Sequence, residues 1–86
     1  MTPAEELLAA VKEHATAEVT FEFVGGGYPT LFMDNISVGW HVRNKNWYEQ
    51  IGNDDYTHDS ASSAVYSAFL RARAKHPPAA DSAEES

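Results

Sequence analysis

The chain contains no cysteine, and this absence excludes several chemistries. Disulfide bonds, zinc sites built on thiolates and a cysteine nucleophile all require that residue. Long apolar runs are also missing, because no stretch approaches the roughly 18 residues of a membrane-spanning helix. No basic segment followed by an apolar block stands at the N-terminus, so no signal peptide is expected. Together these absences predict an intracellular protein that does not enter a membrane.

Basic residues are scarce: 6 Lys and Arg stand against 13 Asp and Glu, for a net charge of −7. Direct binding to nucleic acid or to anionic lipid requires a basic surface, so this balance disfavours both. The acidity is also uneven. Residues 1–42 carry a net charge of −5, residues 43–76 of +1 and residues 77–86 of −3. A chain with both signs of charge fits specific protein docking better than mimicry of a nucleic acid.

The length of 86 residues allows one folded domain, because two would each be too small to close a core. We expect a single α+β domain over residues 1–76. Pro77 and Pro78 end its last helix. The remainder is rich in Pro, Ala, Ser and acidic residues, so residues 77–86 are predicted to form a disordered acidic tail.

The first helix has a clear start signal. Thr2 is an N-cap residue, Pro3 suits the first helical position, and Glu5 completes a capping box. Apolar residues then recur at helical spacing and predict one buried stripe. Its members are Ala4, Leu7, Leu8, Val11 and Ala15.

After the first helix, apolar residues alternate with polar ones, and this alternation predicts strands. Val19, Phe21 and Phe23 alternate with polar residues, which indicates a half-buried strand that ends at the glycines 25–27. The apolar run 31–33 has no periodicity that distinguishes a second strand from an inward-folding loop. That short segment is left open.

The clearest strand starts at Ile36, where apolar and polar residues alternate as far as Arg43. Residues 44–46 have turn chemistry, so residues 36–52 are predicted to form a hairpin. Trp47 and Ile51 share one face of the return strand, and Glu49 falls on that same face. This conflict predicts a twisted or half-exposed edge.

The second helix follows a turn at residues 53–55, and Thr57, Asp59 and Ser60 compete to cap it. The resulting order is helix, strand, strand, strand, helix. It predicts an α+β fold with a three-stranded antiparallel sheet and both helices packed on one face. The buried stripe of the second helix is expected at Ala61, Ala64, Val65, Ala68, Phe69 and Ala72.

Catalytic and metal-binding patterns are weak. None of the four histidines forms an i, i+4 pair, and His14 and His76 stand at helix ends, where a cation is favourable. Residues 53–59 gather ligand types, but a turn and a helix cap explain them without a metal ion. No serine-nucleophile motif is present, and no Lys-Ser/Thr follows the glycines 25–27. We therefore expect no enzyme activity, no cofactor and no metal site.

Candidate partner-binding residues lie on three predicted surfaces. Tyr66 and Leu70 stand one helical turn apart, away from the buried stripe, and belong to residue types that anchor interfaces. The polar face of the hairpin and the acidic residues of the first strand are the other two. The full set is Glu18, Glu22, His41, Arg43, Tyr48, Tyr66, Leu70 and Arg73.

The Gly39-Trp40 strand and the alanine-rich helix 64–74 resemble small phage-encoded domains of the helix–sheet–helix type. In size and acidity the chain is also similar to the small anti-CRISPR and host-takeover proteins of phages. This resemblance implies a non-catalytic inhibitor in the cytoplasm of a bacterial host. Its target would be a bacterial protein, or a protein–nucleic acid complex, that handles nucleic acid or acts in defence.

The order of elements over residues 3–75 resembles a double-stranded-RNA-binding domain. The turn at residues 25–30 falls where that family contacts the groove, and Ala64 and Ala68 match its small packing residues. That family places lysines at the start of the second helix, where residues 60–64 here read Ser-Ala-Ser-Ser-Ala. Without cations at those positions, RNA binding of that kind is not expected.

Two alternative functions stay open. The chain could be a self-associating phage structural or accessory protein that forms a homodimer through the open sheet face or the Tyr66 and Leu70 surface. It could also bind nucleic acid through a basic edge within residues 43–75. The basic residues of that edge are Arg43, Lys45, Arg71, Arg73 and Lys75.

Overall fold

Two helices and a five-stranded antiparallel sheet form the fold. The computed structural model describes residues 2–75, except for the side chain of Lys75, so His76 and the expected tail 77–86 lie outside the described residues. The elements, in chain order, are α1 (Pro3–His14), β1 (Glu22–Val24), β2 (Thr30–Met33), β3 (Ile36–His41), β4 (Asn46–Ile51), β5 (Asp54–His58) and α2 (Ala61–Lys75).

Helix α1 begins with the predicted capping box. The backbone N–H of Glu5 donates to Thr2 Oγ1 at 3.2 Å, and the backbone N–H of Thr2 donates to Glu5 Oε1 at 2.8 Å. The backbone hydrogen bond from Thr2 lowers the pKa of the Glu5 carboxyl from its ordinary value. The predicted apolar stripe is shifted, because Leu7, Ala10 and Val11 are buried whereas Leu8 and Ala15 are exposed.

Substituting Thr2→Ala is expected to lower the free energy of unfolding by about 1 kcal/mol, because the backbone N–H of Glu5 loses its side-chain acceptor. Urea denaturation followed by tryptophan fluorescence measures the change. Thr20→Ala is the matched control, since Thr20 is exposed in the loop between α1 and β1. An equal effect of the two substitutions contradicts the capping role.

The expected number of strands is wrong, although the antiparallel α+β class is confirmed. Residues 30–33 form strand β2, and Asp54–His58 form strand β5 instead of a turn and a helix cap. Strand β5 lies at the edge of the sheet, and four of its five residues are exposed. It therefore lacks the alternation of apolar and polar residues by which a half-buried strand is recognised. The first strand also starts later than predicted, at Glu22.

The strand order is β1-β2-β3-β4-β5, so each strand pairs with its neighbour in sequence. The predicted hairpin 36–52 is confirmed, with Trp40 opposite Trp47. Its turn includes Lys45 in the left-handed region at φ 54°. Gly52, at φ 59°, makes the next turn, where glycine avoids the strain that a side chain would meet.

One hydrophobic core joins the sheet and the helices. Helix α2 packs on β3, β4 and β5, and α1 packs on α2. The predicted buried stripe of α2 is confirmed at all six of its positions. Across the core face of the sheet the rings of Trp40 and Trp47 meet with their centroids 5.2 Å apart. The opposite face of the sheet is covered by no element within residues 2–75.

Candidate interaction surfaces

Glu49 lies on the core face of the sheet and is fully buried, with an exposed fraction of 0%. The predicted half-exposed edge is therefore wrong. In register, Glu49 stands between Val38 of β3 and Tyr56 of β5. A buried carboxylate is costly unless other charges and hydrogen bonds compensate it, so its surroundings decide whether the fold tolerates it.

Two cationic or donor side chains face the Glu49 carboxylate. The Nε2–H of His58 donates to Oε1 at 3.0 Å, and Nε of Arg71 lies 3.0 Å from Oε2. The contact with Arg71 is an ion pair without hydrogen-bond geometry, because Oε2 accepts no hydrogen bond from the described residues. The Arg71 guanidinium also lies 4.6 Å from the centroid of the Tyr56 ring, in a cation–π contact.

His58 extends this network to α2, since its Nδ1 lies 2.9 Å from Ser63 Oγ. When Nδ1 carries no proton, it accepts a hydrogen bond from the Ser63 hydroxyl. A Ser–His–Glu chain of this kind resembles a proton relay of hydrolases. Ser63, however, lines none of the grooves described below. We interpret the chain as a clamp on the buried carboxylate that ties β4 and β5 to the start of α2.

Ser62, the residue before Ser63 on α2, contacts the other helix. The ring of His14 donates from Nε2 to Ser62 Oγ at 2.8 Å, and the Ser62 hydroxyl donates to Glu13 Oε1 at 3.3 Å. The His14 ring also lies 5.3 Å from the Tyr66 ring, measured between centroids. These contacts fix the C-terminal end of α1 against the first two turns of α2.

A shallow groove of about 240 Å³ follows from this arrangement, and we call it the helix groove. Residues 13–16 form one wall and α2 forms the other. Three of the predicted partner-binding residues line it, namely Tyr66, Leu70 and Arg73. Tyr66 is 53% exposed and Leu70 is 46% exposed, so both side chains present apolar surface to solvent. At the rim, Arg73 Nε lies 3.2 Å from Glu18 Oε1.

The uncovered sheet face, which we call the open face, is the second surface. Its side chains follow from the register and form cross-strand rows. One row is Glu22, Phe32, Ser37, Gln50 and Asp55; the next is Val24, Thr30, Gly39, Tyr48 and Thr57; the last is His41 and Asn46.

Gly39 and Tyr48 shape the middle of the open face. They are directly opposite each other, and a Cβ atom at Gly39 would collide with the Tyr48 ring. The ring therefore lies flat across β3. Beside it His41, Gln50 and Thr57 help to line a shallow groove of about 390 Å³.

Charged side chains lie at both ends of the sheet, and the exposed Asp59 follows β5 at the end that also holds Arg43 and Lys45. Glu22 and Asp55 occupy the outer positions of one row, on β1 and β5. The turn between β3 and β4 lies at the opposite end of the strands and carries the exposed side chains of Arg43 and Lys45. His41 starts this turn, and its Nδ1 accepts the backbone N–H of Asn44 at 3.2 Å.

The predicted partner-binding residues thus fall on two separate surfaces. Those of the helix groove are Glu18, Tyr66, Leu70 and Arg73, and those of the open face and its turn are Glu22, His41, Arg43 and Tyr48. Sequence reasoning missed the buried Glu49 network and the contribution of His14 to the helix groove. The one signal in the sequence is the position of Glu49 on the apolar face of its strand. Its partners could not be identified, because they come from β5 and α2.

The basic residues of the predicted edge are not gathered into one surface. Arg71 binds the buried Glu49, and Arg73 pairs with Glu18. Helix α2 starts beside His58, at the end of the sheet that holds Arg43, and its Ala72 reaches a groove shared with Asp34 at the other end. The two groups of cations therefore lie at opposite ends of the domain.

Within residues 2–75, no cluster of three or more His, Asp or Glu side chains has the arrangement of a metal site. Neither helix in that part of the chain is long and apolar enough to cross a membrane. No family model, curated protein or solved structure matches the chain.

Proposed function

We propose that this chain is a non-catalytic, acidic protein-interaction module whose docking site is the helix groove. It binds a basic surface of a bacterial complex that handles nucleic acid or acts in defence, and it inhibits that complex. A phage or mobile-element origin accords with its small size and acidity. The observation that carries the proposal is the exposed Tyr66 and Leu70 pair in a groove with a charged rim.

The chemistry of the groove is that of an interface centre. Aromatic side chains anchor many interfaces, and apolar centres surrounded by polar rims exclude water from the contact. Tyr66 and Leu70 supply the apolar centre, while Phe69 forms a rigid floor because it is buried. The partner would place an aliphatic or aromatic side chain between the two anchors.

The rim determines the charge of that partner. Glu18 neutralises Arg73, and Glu13 adds a further carboxylate on the opposite wall. Glu5 and Glu6 lie in the first turn of α1, at the other end of that helix from the groove. These acids, with the net charge of −7, favour association with a basic surface and predict that the association rate falls as salt is raised.

The proposal predicts that expressing the chain in bacterial strains, each with one defence system, restores plaque formation by a phage on at least one of them. The double variant Tyr66→Ala/Leu70→Ala is expected to lose this effect. Against the purified target complex, the dissociation constant of the double variant is expected to rise by about 30-fold or more, because two anchor side chains are lost.

Tyr28→Ala/Val42→Ala is the matched control, because it removes two exposed apolar side chains outside the groove. It should retain full activity. The proposal is wrong if the folded wild-type chain restores plaque formation on none of the strains. Equal loss of binding in the two double variants would remove the helix groove from the proposal.

A further inference from the structure

We propose that the groove on the open face binds a neutral oligosaccharide built from β-linked, glucose-type rings. This inference goes beyond the proposed function, since this groove and the helix groove share no lining residue. It depends on an aromatic platform at Tyr48, on polar side chains around that platform whose hydrogen-bonding groups are unused, and on the charge of the groove.

Tyr48 forms the platform at the middle of the groove. Its ring covers Gly39 of the neighbouring strand, where a Cβ atom would collide with it. The backbone does not require a glycine at this position, because φ of Gly39 lies outside the left-handed region. Glycine inside a strand often marks a close approach of other groups, and here it lets the ring lie against the sheet. Within residues 2–75 no other ring stacks on Tyr48, so its outer face is left for a ligand.

Polar side chains surround the platform along the strands. Gln50 and Asp55 lie in one neighbouring row, and Thr57 lies beside the Tyr48 ring. Their side chains make no hydrogen bond or ion pair with the described residues. Asn46 lies in the row on the other side, and its buried Oδ1 accepts no hydrogen bond from that part of the chain either. Amide, hydroxyl and carboxylate groups together match sugar hydroxyls, each of which can both donate and accept.

His41 supplies a donor at the end of the groove next to the β3–β4 turn. Its Nδ1 accepts the backbone N–H of Asn44 at 3.2 Å. In the neutral ring the proton is then on Nε2, which donates. No described residue accepts a hydrogen bond from Nε2, so this N–H is available to a hydroxyl of the ligand.

The charge of the groove favours a neutral ligand over a phosphate-bearing one. Neither Lys nor Arg lines the groove, and Asp55 contributes a carboxylate to it. A nucleotide could stack its base on Tyr48, but its phosphates would find no cation there and would be repelled by Asp55. A sugar ring instead places its apolar C–H face on the aromatic ring and directs its hydroxyls sideways to the polar groups.

The shape of the groove favours a flat, straight chain. From Asn46 to Gln50 the strand advances about 14 Å, at about 3.4 Å per residue. The groove follows this strand and has a volume of about 390 Å³. The hydroxyls of β-linked glucose-type rings lie in the plane of the ring, so two or three such rings form a straight ribbon of matching length. Because the groove is shallow and has one platform, we expect a dissociation constant of about 1 mM.

Nuclear magnetic resonance titration of the full chain with cellotriose tests the site. Saturable shifts of the backbone amides are expected, confined to β4, β5 and the β3–β4 turn. Tyr48→Leu keeps a side chain over Gly39 and removes the ring, so it is expected to weaken binding by at least about tenfold. Tyr48→Phe keeps the ring and should bind within about threefold of the wild type.

Two controls isolate the groove. Phe32→Leu removes an exposed aromatic ring of the same face outside the groove and should bind cellotriose as the wild type does. Gln50→Ala/Asp55→Ala alters two exposed groove positions and should weaken binding by about fivefold or more, which provides a second test if Tyr48→Leu does not fold.

The proposal is overturned if cellotriose causes no saturable shift up to about 20 mM. Equal effects of Tyr48→Leu and Phe32→Leu also overturn it, as does an equal response to glycerol, which has hydroxyls but no ring. Tighter binding of a single-stranded oligothymidylate to the same amides would assign the groove to nucleic acid instead. Because Tyr66→Ala/Leu70→Ala should bind cellotriose normally, failure of this site and failure of the proposed function are distinguishable.

Discussion

Arg71→Ala is expected to lower the free energy of unfolding by about 3 kcal/mol, because it leaves a fully buried carboxylate at Glu49 without its counter-ion. His58 alone still donates one hydrogen bond to that carboxylate. A domain of this size has a total stability of roughly 4–11 kcal/mol, so the loss is a large part of it. Urea denaturation followed by the fluorescence of Trp40 and Trp47, which lie in or against the core, measures the change.

Arg73→Ala is a closely matched control. The two arginines lie on the same helix and have similar exposure, 43% for Arg71 and 46% for Arg73. Arg73 pairs with the exposed Glu18, and pairs of that kind contribute less than about 1 kcal/mol. Equal destabilisation by the two substitutions would show that burial of Glu49 is not the cause.

A rescue separates lost charge compensation from lost packing. In the Arg71→Ala background, Glu49→Met removes the buried charge and keeps a side chain of similar length. Replacing buried ion pairs by apolar residues is often neutral or stabilising, so this double variant is expected to be more stable than Arg71→Ala alone. A double variant that is less stable would contradict the electrostatic explanation.

Ala68→Leu is expected to lower the free energy of unfolding by about 2 kcal/mol, because Ala68 is fully buried and a larger side chain overpacks the core. Ala64, Ala68 and Ala72 all have an exposed fraction of 0% and form the stripe by which α2 approaches the core. For a domain of this size the loss corresponds to a fall of about 8–16 °C in Tm. Thermal unfolding followed by circular dichroism measures it.

Ala74→Leu provides the comparison for that substitution, since Ala74 is exposed on the same helix. A change at such a surface position is usually within about 0.5 kcal/mol. If Ala68→Leu leaves Tm unchanged, the contact of α2 with the core is looser than the burial of its alanines indicates.

The helices could be predicted from the sequence because their signals are local. The Thr2 and Glu5 capping box and the stripe from Ala61 to Ala72 are each confined to a few helical turns. Strand β5 could not be predicted, because four of its five residues are exposed and its sequence has no apolar period. The polar run Asp54–Thr57 is then indistinguishable from a turn until its pairing with β4 is known.

For the two surfaces too, local features could be predicted from the sequence and features that join distant segments could not. Helical spacing alone placed Tyr66 and Leu70 beside each other, and the structure adds the wall formed by residues 13–16. The placement of Glu22 and Asp55 in one row of the open face depends on register, because they come from the two edge strands. The environment of Glu49 depends on His58 and Arg71 together, and no spacing in the sequence relates these three residues.

The order of the strands has a consequence for the chain entropy of folding. Because every strand pairs with its neighbour in sequence, each hairpin closes only a short loop. The contact of α1 with α2 differs, since His14 and Ser62 are separated by 48 positions. The entropy lost on closing a loop grows with its length, so the largest single loss falls on the docking of α1. The docking of α1 on α2 therefore depends on the rest of the domain to hold the two helices within reach of each other.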